Sequence, residues 1–234
     1  MSKFLTILVL TILLSSCGIL KNTPSTNLSE GFYSDKTQSN EKVYVRSDED
    51  VISIYPTKDE GGKLKVDTAE LIYQFHQEKA NNSNDMVELK SSSFDLDFIA
   101  VPLKYRPPQA GVPAQLNTEI NASIYLGLRT DRYSIGYELN PLGEKDRKIK
   151  HFGFSLGVLT GFGSSSINPT TTNDLLDQEY DGIVWSKGAG GIVALNNLTL
   201  GLAVGFDNLL DGNRSIWIYE SKPWFGFTLG LNIN

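Results

Sequence analysis

His76 and His151 are the only imidazoles among 234 residues, so acid–base chemistry near neutral pH would have to be built on one of them. Ser155 shares an alternating face with His151 but stands four residues along, about 13 Å away in an extended chain. A nucleophile and its base must lie within hydrogen-bond reach, so this pair is not expected to react. Strand parity puts the two histidines on opposite rims. Carboxylates suit calcium, but Asp48-Glu49-Asp50 lacks the glycine and the alternate spacing of a calcium loop. It reads as a solvated turn. The expectation is a chain that is not an enzyme and holds no cofactor or metal.

The elements that carry these residues are strands. Glycine (21), tyrosine (10) and phenylalanine (11) are plentiful and methionine (2) is scarce, which suits an all-β chain. Phe225, Phe227, Leu229, Leu231 and Ile233 alternate with Trp224, Gly226, Thr228, Gly230 and Asn232. Leu198 to Asp207, Glu119 to Arg129 and Phe152 to Val158 repeat the pattern. Large apolar residues face one way and small or polar residues the other. The longer runs exceed an ordinary soluble strand and match a membrane-spanning one. Spanning strands are expected near 65–75, 93–105, 117–129, 132–140, 150–162, 183–195, 198–207 and 223–233. Thr130-Asp131 would be a tight outer turn, and Asn196-Asn197 a two-residue hairpin turn. The fold class is thus all-β: an eight-stranded antiparallel transmembrane β-barrel. Val43–Tyr55 and Ser215–Tyr219 would make it ten-stranded.

If Phe94, Leu96 and Phe98 meet lipid, Asp95 and Asp97 point into the barrel, as do Arg129 and Arg132 beside the turn. Buried charges need partners, so these four are read as an interior ion network. Leu209, Leu210, Trp217 and Tyr219 lie on or beside a long outer connection. They are read either as a partner contact or, for Trp217 and Tyr219 with Trp224, as an aromatic girdle.

The N-terminus supplies a separate signal. Lys3 precedes an apolar run from Phe4 to Leu14, and Leu14-Ser15-Ser16-Cys17 ends at the sole cysteine. The run suits a secretory leader and is too short to span a bilayer. The arrangement resembles the lipobox of bacterial lipoproteins. That resemblance implies cleavage before Cys17, lipidation of Cys17 and retention at a membrane. With the strands added, the chain resembles the small outer-membrane β-barrels of Gram-negative bacteria, closest to those of Bacteroidota. Residues 18–22 carry no acidic side chain, which in that phylum implies a periplasmic anchor rather than export to the surface. Asp67-Thr68-Ala69 also resembles the O-glycosylation site used there.

The expected organisation is a signal peptide at 1–16, a lipidated tether and N-terminal extension at 17–62, and a barrel at 63–234. The formal charge of −6, without a long basic stretch, argues against a nucleic-acid partner. Expected partners are outer-membrane lipid and other outer-membrane proteins, with both termini periplasmic. The expected role is a structural or accessory subunit of an outer-membrane assembly. The alternatives are a periplasmic lipocalin-like lipoprotein with an apolar ligand, and a lipid-modifying barrel enzyme.

Overall fold

The computed structural model describes residues 28–37, 40–48, 50–77, 86–195 and 198–231. The leader, Cys17, Glu49 and the Asn196-Asn197 turn lie outside the described residues. The chain is all-β, with twelve antiparallel strands among the described residues. They are β1 (Gly31–Asp35), β2 (Lys42–Ser47), β3 (Val51–Glu60), β4 (Lys63–Val66), β5 (Tyr73–His76), β6 (Val87–Arg106), β7 (Gln115–Thr118), β8 (Asn121–Leu139), β9 (Lys145–Ile167), β10 (Tyr180–Leu195), β11 (Leu198–Leu209) and β12 (Pro223–Leu231).

Two compact units share these strands, and β1, β2, β8 and β9 contribute residues to both. The first unit draws its described residues from 28–32, 43–77 and 136–149. In it β3 pairs with β2, β4 and β5. Val43, Val45, Ile52, Ile54 and Phe75 form its apolar interior. Arg147 holds one edge by donating to the Asp50 and Phe75 carbonyls at 3.2 and 3.0 Å. Residues expected as tether are therefore partly strand, because β1 begins at Gly31.

The second unit draws its described residues from 33–42, 86–135 and 150–231. Its strands follow the order β12-β11-β10-β9-β8-β6, and β6 also pairs with β12. The run of six strands therefore returns to its start. Two expected strands, 117–129 and 132–140, are largely one: β8 continues through Thr130 and Asp131, which pair with Ser92 and Ser91 of β6. The 20-residue β6 supplies β8 with a partner from Val87↔Ile135 to Ile99↔Ser123, so no turn forms. Nor is 65–75 one strand, since β4 ends at Val66 and β5 begins at Tyr73. Ser215–Tyr219 is not strand; it belongs to the connection after β11.

Inside the six-strand run the side chains are sorted by period two. Gly201, Ala203, Gly205 and Asp207 are buried, while Leu202, Val204 and Phe206 are exposed. Asp95 and Ile99 are buried, while Phe94, Leu96 and Phe98 are exposed. Pleating sends alternate side chains to opposite faces, and here the large apolar set is the outer one. The inner set mixes large side chains such as Tyr125 and Trp224 with glycines where the strands come close. A Cβ added at Gly157 would collide with the Leu126 carbonyl and the Gly127 backbone on β8.

Candidate functional site

The interior of the second unit holds two charge clusters, and the larger depends on a defect in β6. Ala100 pairs with Leu229 and Leu103 with Phe227, so Val101 and Pro102 together stand opposite Thr228. Two residues facing one is a β-bulge. Pro102 has no N–H to give the ladder, and bulges are where strands tolerate proline. The Asn121 side chain serves Val101 instead. Its Oδ1 accepts from Val101 N at 3.0 Å, and its Nδ2 donates to Val101 O at 2.8 Å. Alternation restarts one residue out of step, which turns Lys104 and Arg106 inward.

Lys104 Nζ then donates to Ser186 Oγ at 3.1 Å and to both oxygens of Asp207 at 3.1 and 3.0 Å. It also lies 3.2 Å from Glu119 Oε2. Arg106 Nη2 donates to Asp207 Oδ2 at 2.6 Å and to Glu119 Oε1 at 2.9 Å. Glu119 sits between β7 and β8 and accepts from Ser165 at 2.9 Å. Asp207 also accepts from Ser186 at 2.6 Å and from Trp224 Nε1 at 2.9 Å. All four charged side chains are buried. Two cations face two carboxylates, and the hydrogen bonds satisfy most remaining lone pairs. That is the condition under which buried charge is tolerable.

Arg106 Nε and Nη1 have no hydrogen-bond partner among the described residues. The guanidinium carbon instead lies 5.3 Å from the Trp217 ring centroid and 5.2 Å from that of Tyr219, within cation–π range. The connection 210–222 folds back to bring these rings in. Ile218 N donates to Thr171 O at 3.0 Å. Glu220 accepts from Asn208 Nδ2 at 2.6 Å, Leu209 N at 2.9 Å and Arg214 Nε at 2.6 Å. Burial pushes the Glu220 carboxyl up, but these donors outweigh it and hold it below the usual glutamate value.

This corrects the expected partner contact. Leu209, Trp217 and Tyr219 are buried with Ile167 and Val184 in one apolar cluster, and only Leu210 of the four is exposed. Trp224 is not a girdle residue either. It is fully buried, with Lys104 Nζ 4.8 Å from its ring centroid.

The second cluster contains three of the four expected network residues. Asp95 is buried and Asp97 is half-buried, both on the inner face. Arg129 Nη1 lies 3.8 Å from Asp95, and Arg129 Nε donates to Asp131 Oδ1 at 2.9 Å. Arg132 is excluded. Because β8 does not turn, positions 129, 131 and 133 share the inner face, and Arg132 is exposed on the outer one, opposite Lys90. Asp131 takes its place and also contacts His151 Nε2 at 2.6 Å. The His151 ring stacks on Tyr133, with centroids 4.6 Å apart. The Ser155 hydroxyl pairs with Tyr125 OH at 3.0 Å. In the first unit, Thr68 is exposed in a turn where Asp67 accepts from Ala69 N at 3.1 Å and from Lys58 Nζ at 2.6 Å.

Sequence reasoning misses Lys104, Arg106, Glu119 and Asp207. The one signal for them is Pro102 inside an otherwise alternating strand. Among the described residues, no group of His, Cys, Asp and Glu could hold a metal ion. The chain matches no family model, no curated protein and no solved structure.

Proposed function

We propose that this chain is a lipid-anchored, non-catalytic outer-membrane β-barrel that serves as an accessory subunit of a larger outer-membrane assembly. One observation carries the reading: in the six-strand run the buried charges lie within, beside an apolar cluster of Ile99, Val101, Tyr125, Leu159, Ile192, Ala203 and Trp224, while most large apolar side chains lie on the outside. Phe98, Leu128 and Leu202 are 73, 75 and 70 % exposed, while Lys104, Arg106 and Asp207 are 0 % exposed. A protein in water has no reason to sort its side chains that way, because an apolar patch of this extent is costly there. In a bilayer the cost reverses sign. On β9 the outer side chains from Phe152 to Phe162 are apolar except Thr160, whose partner on β10 is the exposed Lys187. That stretch is about 33 Å of strand, or about 25 Å of height at a typical barrel tilt, matching the apolar band of outer-membrane barrels.

On this reading the spanning strands are β6, β8, β9, β10, β11 and β12: six rather than the expected eight or ten, an even number but fewer than the eight of the smallest single-chain outer-membrane barrels. The long connections 107–120, 168–179 and 210–222 leave from one end of these strands and are assigned to the outer side. Asn196-Asn197 and the C-terminus are then periplasmic, on the same side as an anchor at Cys17. The lipocalin-like alternative requires an apolar cavity, whereas here the apolar side chains of the interior pack together and the rest is taken by the Lys104, Arg106, Glu119 and Asp207 cluster. The lipid-modifying alternative requires a nucleophile with its base, whereas Ser155 and His151 each face a different partner.

Extraction tests the reading. With Cys17→Ala, the protein should stay with the membrane through an alkaline carbonate wash and need detergent for release. Recovery of that variant in the aqueous wash would overturn the barrel assignment. Co-purification in mild detergent then tests the accessory role, with stoichiometric outer-membrane companions as the expected outcome.

A further inference from the structure

The outer face of the second unit changes character where the apolar band ends. Along β6 the outer positions run Phe98, Leu96, Phe94, Ser92, Lys90, Glu88. Their partners on β8 run Ile124, Leu126, Leu128, Thr130, Arg132, Ser134. On β9 the step is from Phe152 to Lys150. On β6 and β8 one hydroxyl row, Ser92 and Thr130, separates the apolar residues from Lys90 and Arg132. Lys90 and Arg132 are directly opposed across the ladder, where like charges repel. Lys36 and Lys150 line the same cavity, of about 480 Å³, and Phe152 forms part of its wall. Among the described residues of the lining, Glu88 is the one carboxylate.

We propose that this cavity binds the phosphate headgroup of an anionic phospholipid, with the acyl chains lying on the outer face beside Phe94 and Phe152. The inference rests on the barrel reading and adds a specific ligand to it. Two features support it. The opposed Lys90–Arg132 pair is unfavourable unless an anion bridges it. The site also lies at headgroup depth: Lys90 is four residues from Phe94, about 10 Å of height beyond the last apolar row. A soluble anion would gain nothing from the adjoining phenylalanines; a lipid would.

The test uses the full chain, purified in detergent with mixed phosphatidylcholine and phosphatidylglycerol, and native mass spectrometry to count retained lipids. The wild type should keep phosphatidylglycerol in preference. A cation at an anionic surface contributes roughly a fivefold preference, so Lys90→Gln with Arg132→Gln should reduce retention on the order of 25-fold. Arg132→Lys should keep the preference and Glu88→Gln should strengthen it. Heat-modifiable gel mobility confirms that each variant is folded, and data are read only from folded protein. Equal retention of both lipids, or an unchanged preference in the double variant, overturns the proposal. So does inorganic phosphate displacing the lipid at equal concentration, which would make the site one for a free anion. Protein that inserts into bilayers without lipid preference removes this proposal alone. Protein that does not insert removes the barrel reading, and this proposal with it.

Discussion

Asp207 Oδ2 accepts from Arg106 Nη2 at 2.6 Å, with neither side chain exposed, and the pair joins β11 to the end of β6 across 101 residues of sequence. Among the described residues, Asp207 is the only group that binds Lys104, Arg106, Ser186 and Trp224 at once. Losing it leaves Glu119 as the one carboxylate for two buried cations. Asp207→Ala should therefore cost about 3–5 kcal/mol, as removal of one partner from a buried ion pair does. Urea titration of the protein in lipid vesicles measures this. Asp207→Asn, which keeps the shape but not the charge, should fall between wild type and alanine.

The outer face makes a second prediction. Leu202→Arg or Phe98→Arg should each cost about 2–4 kcal/mol in bilayers, the range for arginine facing lipid near mid-depth. Thr228→Ser, on the inner face, should cost much less. Folding yield into vesicles of matched thickness reads the difference. Tolerated arginines together with a damaging serine would mean that the faces are reversed.

Asn121 holds the bulge, so Asn121→Ala leaves the Val101 N–H and C=O without their partners. The expected cost is about 1–3 kcal/mol for buried polar groups left unsatisfied. Amide exchange should quicken at Val101 first. Uniform quickening along β6 would indicate general loosening instead.

The inner network predicts that two neighbouring arginines behave differently. Arg129→Gln should destabilise, because Asp95 and Asp131 lose their cation. Arg132→Gln should cause no loss of stability in neutral detergent, because its side chain is on the other face, where the change relieves repulsion with Lys90. A double-mutant cycle of Arg129 with Asp131 should show coupling of about 0.5–3 kcal/mol, and one of Arg132 with Asp131 none.

Acid should loosen the connection 210–222. Glu220 titrates below its ordinary value in the folded loop. A depressed carboxyl stabilises the folded form above the unfolded pKa, near 4.3. That contribution is lost as pH falls through the folded value. Proteolysis at Arg214, which is exposed, should be slow above about pH 5 and faster below about pH 4. Glu220→Gln should be cleaved readily at every pH.

Alternation along β11, β12, β9 and β6 is legible in the sequence, since period two is written directly into residue type. The direction of each face follows from the same pattern, which turns Asp95, Asp97 and Arg129 inward correctly. Continuity is not legible. Thr130-Asp131 has turn chemistry, but a long partner strand keeps it extended, and that partner is remote in sequence. This one turn misplaces Arg132. Lys104 and Arg106 escape notice because strict counting from Asp95 gives Lys104 the wrong parity, and only Pro102 hints at the slip. Trp217 and Tyr219 look alike in sequence whether they meet lipid, a partner or Arg106. What decides is the fold-back of their connection onto Thr171.

The bulge at Val101-Pro102 behaves like a shift of reading frame written into the fold. Upstream of it odd-numbered residues of β6 are internal; downstream, even-numbered ones are. Deleting one residue here would leave composition and hydropathy almost untouched. It would nevertheless swap Lys104 and Arg106 with Leu103 and Tyr105, sending two cations toward the outside and two bulky side chains into a space already filled by Trp224. A single-codon deletion at this point should thus be as damaging as loss of the whole strand.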